Sequence, residues 1–162
     1  LRYLLADQPF RVDFAGGPVS LRASSGGPRG LLLDVRLDVA IVETHAEPRR
    51  RRWRVETRMY QYRLLDHDVR ELLVYHWQPG PNYLGPNYPH LHVSAALNAQ
   101  TSAVDRQAID LDKLHLATGR VSLASAVRML ITELRVAPQR PDWAAALERA
   151  ERVFQEEIGL SI

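Results

Sequence analysis

From Leu31 to Ile41 every odd position is apolar (Leu31, Leu33, Val35, Leu37, Val39, Ile41), with Asp34, Arg36 and Asp38 set between them. A period of two over this length is a strand with one buried and one solvated face; a helix would mix the two sets around its circumference. The chain must therefore build a sheet. Trp53 to Leu65, WRVETRMYQYRLL, alternates again, with Tyr60, Tyr62 and Leu64 on one face and Met59 and Gln61 on the other. Asp66-His67-Asp68 makes a polar turn and Glu71 to Trp77 returns as a strand, so this pair reads as a hairpin. Shorter strands are expected at 10–14 and 18–23, broken by Gly16-Gly17-Pro18 and Ser24-Ser25-Gly26-Gly27-Pro28. Two more are expected at 90–97 and 109–116, joined by a polar loop over 98–108. In the last of these Asp110 and Asp112 share a face, and His115 falls on the opposite one.

The periodicity changes after Thr118-Gly119-Arg120. Ser122 is placed as an N-cap, and Leu123, Val127, Leu130, Ile131 and Leu134 make one stripe of a helix running to about Val136. Pro138 and Pro141 end it. Asp142 precedes a second helix whose core stripe is Trp143, Leu147, Ala150, Phe154 and Ile158. The expected class is α+β: a mainly antiparallel sheet of about six or seven strands, with two C-terminal helices packed on one face. At 162 residues the chain suits one domain, mainly β over 1–121 and helical over 122–162. Nothing alternates as βαβ, and no phosphate-cradling glycine loop, Gly-x-Ser-x-Gly elbow or His-Glu-x-x-His helix is present.

The sequence contains no cysteine, which excludes disulfides and thiolate chemistry. No apolar run reaches the length of a membrane-crossing helix and no signal peptide is visible, so a cytoplasmic protein is expected. Twenty of the 21 basic residues are arginine, Lys113 being the exception. Arginine suits bidentate contacts to carboxylate and phosphate, although genomic base composition produces the same bias.

Chemistry concentrates between Tyr75 and Ser94, YHWQPGPNYLGPNYPHLHVS. His90 and His92 are two apart, so on a strand both imidazoles point to one face, roughly 6.5 Å apart along the chain. At that spacing they can converge on a metal, a phosphate or a water. His76, in the apolar run before the loop, is positioned to face them if 71–77 and 90–97 lie side by side. These three are the candidate catalytic residues, as an acid/base pair with a neighbour, and His90 and His92 are the candidate metal ligands. Without cysteine, nitrogen ligands favour a borderline ion such as zinc. Hydrogen-bonded structural histidines are the competing reading. The connection 78–89 repeats Pro-Asn-Tyr at 81–83 and 86–88, and its aromatics suit a binding loop.

His45 to Arg54, HAEPRRRRWR, holds five arginines in six residues: Arg49, Arg50, Arg51, Arg52 and Arg54. With Trp53, or with Tyr83, to stack a base, the run has the chemistry of a single-stranded RNA or DNA contact. The same run could simply keep a sheet edge soluble.

Tyr60-Gln61-Tyr62-Arg63, the acidic turn at 66–68 and Pro89-His90-Leu91-His92, followed by a helix, resemble the small TumE-like toxins of bacterial toxin–antitoxin pairs. The resemblance covers roughly 60–136; Leu91 separates the two histidines, and the first 50 residues are additional. It implies a toxin-type or nucleic-acid-associated protein, with an antitoxin-like protein as a partner. Pro89 to Val93 also resembles the first half of the histidine-triad motif of nucleotide hydrolases, but Ser94 stands where the third histidine belongs. The His-hydrophobic-His nicking enzymes need a tyrosine on a later helix, and none follows Tyr88. Two classes therefore stand: an enzyme acting on RNA or a nucleotide through the histidines, and a non-catalytic interaction domain in which they are structural.

The arginine run carries its own test. The formal charge of +2 would become −3 without those five residues. If four of them neutralise phosphates, log affinity for a labelled single strand falls with log salt at a slope of roughly −3. Arg50→Ala/Arg51→Ala/Arg52→Ala is expected to flatten that slope by about 2. Trp53→Ala should cost about 1–3 kcal/mol with the slope kept. Binding that is absent, or insensitive to salt, excludes the contact.

Overall fold

The alternating segment forms one sixteen-residue strand, β3 (Pro28–Glu43), paired along its length with β4 (Trp53–Asp66). The computed structural model describes residues 9–23, 25–43, 53–81, 83–94 and 115–159. Around the central pair lies a seven-stranded antiparallel sheet completed by β1 (Phe10–Asp13), β2 (Val19–Arg22), β5 (Glu71–Trp77), β6 (His90–Val93) and β7 (His115–Ala117). The order is β1-β3-β4-β5-β6-β7; β1 and β2 share one edge of β3, β1 against Arg36–Val39 and β2 against Pro28–Leu33. Two glycines with positive φ, Gly16 and Gly17, turn the chain between them. The α+β class follows from α1 (Leu123–Thr132) and α2 (Trp143–Gly159) at the C-terminal end. Among the described residues no helix is long and apolar enough to cross a membrane.

The faces separate as the alternation requires. Leu33 and Val35 of β3 and Tyr60, Tyr62 and Leu64 of β4 are buried with Ala126 and Leu130 of α1 and with Val136. Leu31 and Leu37 pack against the same cluster. Further along β3, Val39 is buried and Ile41 half-buried. The Tyr60 and Tyr62 rings stack at 4.9 Å, and the Tyr60 hydroxyl accepts a hydrogen bond from Val121 N–H at 3.0 Å, tying the sheet to the start of α1.

Several boundaries differ from the sequence reading. β3 begins at Pro28 rather than Leu31, because Arg22 of β2 pairs with Pro28 across the glycine turn. The strand expected at 90–97 is described to Val93, with Ser94 N–H still bonded to Leu72 O at 3.0 Å. The strand expected at 109–116 appears as His115–Ala117, and 109–114 lie outside the described residues.

α1 starts where expected: the Ser122 hydroxyl accepts from Ser125 N–H at 2.9 Å. It ends at Thr132 rather than Val136. Arg135 adopts a left-handed φ of 53°, Val136 turns into the core as a bridge to Ala23, and Ala137 N–H bonds Arg22 O at 2.8 Å. Pairing with the end of β2 thus outcompetes another helical turn. Ala124 and Ala126 are buried beside Leu130, small residues that bring α1 close to the sheet.

No residue of α2 is buried. Trp143, Leu147, Phe154 and Ile158 are half-buried, and Ala150, expected in the core stripe, is exposed. Two carboxylates turn inward instead. Glu151 accepts hydrogen bonds from the hydroxyls of Ser122 and Ser125. Burial pushes its carboxyl up, but these bonds and one from Gln155 hold it below the ordinary range. Glu157 accepts from Thr57 N–H at 2.8 Å and from Arg120 at 3.1 Å. The Arg120 guanidinium lies 4.3 Å over the Trp77 ring and 5.6 Å from Phe154. α2 is held by polar contacts at two points more than by an apolar face.

Glu157→Ala leaves the Thr57 amide and the little-exposed Arg120 without that carboxylate. It should destabilise the protein by about 3 kcal/mol in urea unfolding. Glu156→Gln, on the exposed side of the same helix, should stay within about 0.5 kcal/mol.

Candidate metal centre

Antiparallel register sets this site. Arg36 pairs with Gln61, Gln61 with His76, His76 with His90 and His90 with Ala117, a continuous row across five strands. The adjoining row is Asp34, Arg63, Val74, His92 and His115. Because side chains alternate, both rows lie on the sheet face opposite Leu33, Val35, Tyr60 and Tyr62, and so opposite the helices. The expectation that His90 and His92 share a face with His76 beside them agrees with this arrangement. The His90 ring is 4.6 Å from that of His92 and 5.3 Å from that of His76.

One ring nitrogen from each of His76, His90 and His92 lies within 4.8 Å of the others. His90 is fully buried and His76 is 7% exposed. His90 donates from Nδ1 to Tyr88 O at 2.7 Å, which leaves its Nε2 lone pair facing inward. A backbone carbonyl fixing the tautomer of a ligating imidazole is the usual outer support of a metal-bound histidine. The Nε2 atoms of His90 and His92 are 2.8 Å apart, joined by one shared hydrogen. Zinc–nitrogen bonds of about 2.0–2.1 Å at a tetrahedral angle hold two nitrogens roughly 3.3 Å apart. An opening of about 0.5 Å would thus put a cation where that hydrogen lies.

The loop between β5 and β6 closes the site from one side. The Tyr83 hydroxyl is 3.2 Å from His76 Nδ1, and its ring meets the imidazole edge-on. The Tyr83 ring also lies against Gly85, where an added Cβ would collide with the ring and its hydroxyl oxygen. Thr118 N–H bonds Pro89 O at 2.8 Å, pinning the end of the loop to the chain just after β7. His76, His92 and Tyr83 line a cavity of about 330 Å³ together with Arg36, Met59, Gln61, Glu71, Val74 and Gln78.

The electrostatics disfavour protonation of His92 and His76. Burial pushes His92 down to about 4, with His90, His115 and His76 adding to the effect. Burial and then His90 also lower His76, against a hydrogen bond that the protonated ring would donate to Gln78. Neutral rings offer lone pairs, as metal ligation demands.

His115 was not among the residues singled out from sequence, yet its ring is 4.3 Å from that of His92. The available signal was Leu116, which pairs with Leu91 and so assigns its neighbour to the histidine face. Arg36 and Gln61 carried no signal of their own, since only cross-strand register brings them to His76. Tyr83, considered as a base-stacking residue, belongs to this cavity. Trp53 and Arg54 begin β4, eight residues before Gln61, roughly 25 Å away along the strand. Arg54 contacts Glu56 at 3.6 Å, and Trp53 is 45% exposed. Arg49, Arg50, Arg51 and Arg52 lie outside the described residues.

A second group, Asp66, His67 and Asp68, is a turn already satisfied internally. Asp66 accepts from the backbone N–H groups of Asp68 and Arg70 and from the Arg70 guanidinium. Compared with family models, curated proteins and solved structures, the chain matches none.

A buried base with a lowered pKa binds fewer protons folded than unfolded between its two values. Its contribution is complete above the unfolded value of about 6.5 and is lost as pH falls toward 4. The melting temperature should therefore drop over that window. In metal-free His92→Gln the drop should be shallower, the difference between the two profiles isolating this ring. An NMR titration of His92 with a midpoint near 6.5 would contradict the assignment.

Proposed function

We propose that the protein binds one divalent transition-metal ion of the zinc class through His76, His90 and His92, and uses it on a small substrate in the adjoining cavity. The observation that supports this reading most directly is the His90–His92 nitrogen pair at 2.8 Å, with the far side of His90 held by a backbone carbonyl. Three histidine ligands with a remaining position toward a cavity is the composition of catalytic rather than structural zinc sites. A bound ion of this class supplies a water with a pKa of about 7 or polarises a substrate oxygen. Hydrolysis is the reaction class that suits such a centre without any thiolate.

A second reading is a cytoplasmic, toxin-type protein associated with RNA or DNA and controlled by an antitoxin-like partner. It is supported by the exposed Trp53 at the far end of the β3–β4 pair, directly after Arg52 in sequence. The two readings use separate parts of the sheet and are compatible. If the histidines are structural instead, the protein is a non-catalytic interaction domain.

Protein purified without a histidine tag and dialysed against Zn²⁺ should retain one ion per chain by elemental analysis. Co²⁺ substitution should give visible d–d bands of a nitrogen-rich site. His90→Ala and His92→Ala should each weaken the metal by at least about a hundredfold. Less than a tenth of an equivalent in folded wild-type protein would return the histidines to a structural role.

A further inference from the structure

Among the arginines on the sheet face that carries the histidines, Arg36 and Arg63 differ in how fully they are used. Arg63 bonds Asp34 through Nε at 2.9 Å and through Nη2 at 2.6 Å, and reaches Glu71 at 3.4 Å. Arg36 has one distant carboxylate contact, Nη2 to Asp38 Oδ2 at 3.7 Å. The same Asp38 accepts from Arg11 Nε at 3.2 Å. Among the described residues, the buried Nε of Arg36 has no hydrogen-bond partner. The Arg36 side chain is 41% exposed, so the guanidinium remains accessible to a ligand that would complete the shielded Nε.

Arg36 lines the same cavity as His76 and His92, in the same cross-strand row as His76. Two strand spacings separate β3 from β5, roughly 10 Å between backbones. The arginine fork and the imidazole nitrogens thus approach the cavity from opposite sides. Gln61, between them in the row, and Gln78 and Tyr83 add neutral polar groups to the lining. The carboxylate of Glu71 also lines it, but is bonded to Arg63. At about 30 Å³ per water-sized group, 330 Å³ holds a ligand of roughly ten non-hydrogen atoms.

We infer that this cavity is a substrate site for a small oxyanion, a carboxylate or a phosphate. Its charged end is held bidentately by Arg36, and its other end is presented to the His76–His90–His92 centre. Planar, two-point recognition of such groups is what a guanidinium does and an ammonium does not. The inference rests on the metal reading for the second end of the ligand, whereas the Arg36 end stands on geometry alone.

The test uses the full chain, zinc-loaded and metal-free, titrated calorimetrically with inorganic phosphate and separately with malonate. At least one of the two should bind zinc-loaded protein at one per chain, and the preferred probe distinguishes phosphate from carboxylate substrates. Arg36→Gln should weaken that anion at least tenfold while the zinc stoichiometry stays at one. Arg36→Lys, which keeps the charge and the fold but loses the fork, should fall between. Equal anion affinity in wild type and in either folded variant, or no binding of both probes to wild type, overturns the anion site. Failure of the metal reading is distinguishable: no zinc is retained, yet an Arg36-dependent anion isotherm persists in the metal-free protein.

Discussion

The ladder between β3 and β4 is the constraint on which the rest depends. It pairs Leu31 with Asp66 at one end and Glu43 with Trp53 at the other, and from Leu31 to Asp38 of β3 and Met59 to Asp66 of β4 every second residue faces the same side. One-residue slippage would exchange the faces, turning Asp34, Arg36, Gln61 and Arg63 onto α1 and Leu33, Val35, Tyr60 and Tyr62 away from it. Burial of charged groups against the helices forbids that alternative. The apolar face thus fixes the register, and the register fixes the polar face. Arg36, Gln61 and His76 are aligned by forces that act on residues pointing the other way.

Two bulges bracket this alignment. Arg58 is an extra residue in β4, where Asp38 pairs with Met59 but Val39 with Thr57. Leu72 is an extra residue in β5, where Leu64 pairs with Leu73 but Leu65 with Glu71. Between them the ladder runs unbroken past Gln61 and His76. Bulges bend a strand and increase its twist, and they concentrate beside functional sites. Here the first also frees the Thr57 amide for Glu157, so the device that shapes the sheet near the cavity also docks α2. Tyr60 joins the faces similarly: it stacks on Tyr62, holds Val121 and sits opposite Trp77 in the strand next to His76.

Local periodicity was enough to read β3, β4, β5 and the start of α1, because alternation and capping are properties of neighbouring residues. The shared face of His90 and His92 was legible for the same reason. What escaped depends on long-range pairing. His115 joins the cluster only because β7 pairs with β6, and Arg36 only because two registers add. The end of α1 was misplaced because Val136 has a partner in Ala23, far away in sequence. In α2 the apolar spacing suggested a core stripe, but Glu151 and Glu157 found buried hydroxyl, amide and guanidinium donors, and Ala150 turned outward. Side-chain carboxylates read as solvated until their partners are known.

The character of the ligand set links the two functional proposals. Imidazoles do not neutralise a divalent ion, so an ion held as proposed would keep its full double charge. Among the described residues, Glu71 is the one carboxylate lining the cavity, and it is engaged by Arg63. Arg36 adds a further positive charge on the opposite wall, strong enough to help suppress protonation of His76. With the proposed cation at one side, an arginine at the other and amides between them, the cavity would be electrostatically incomplete. A small anion spanning the two would supply the missing charge and the partner for Arg36 Nε together.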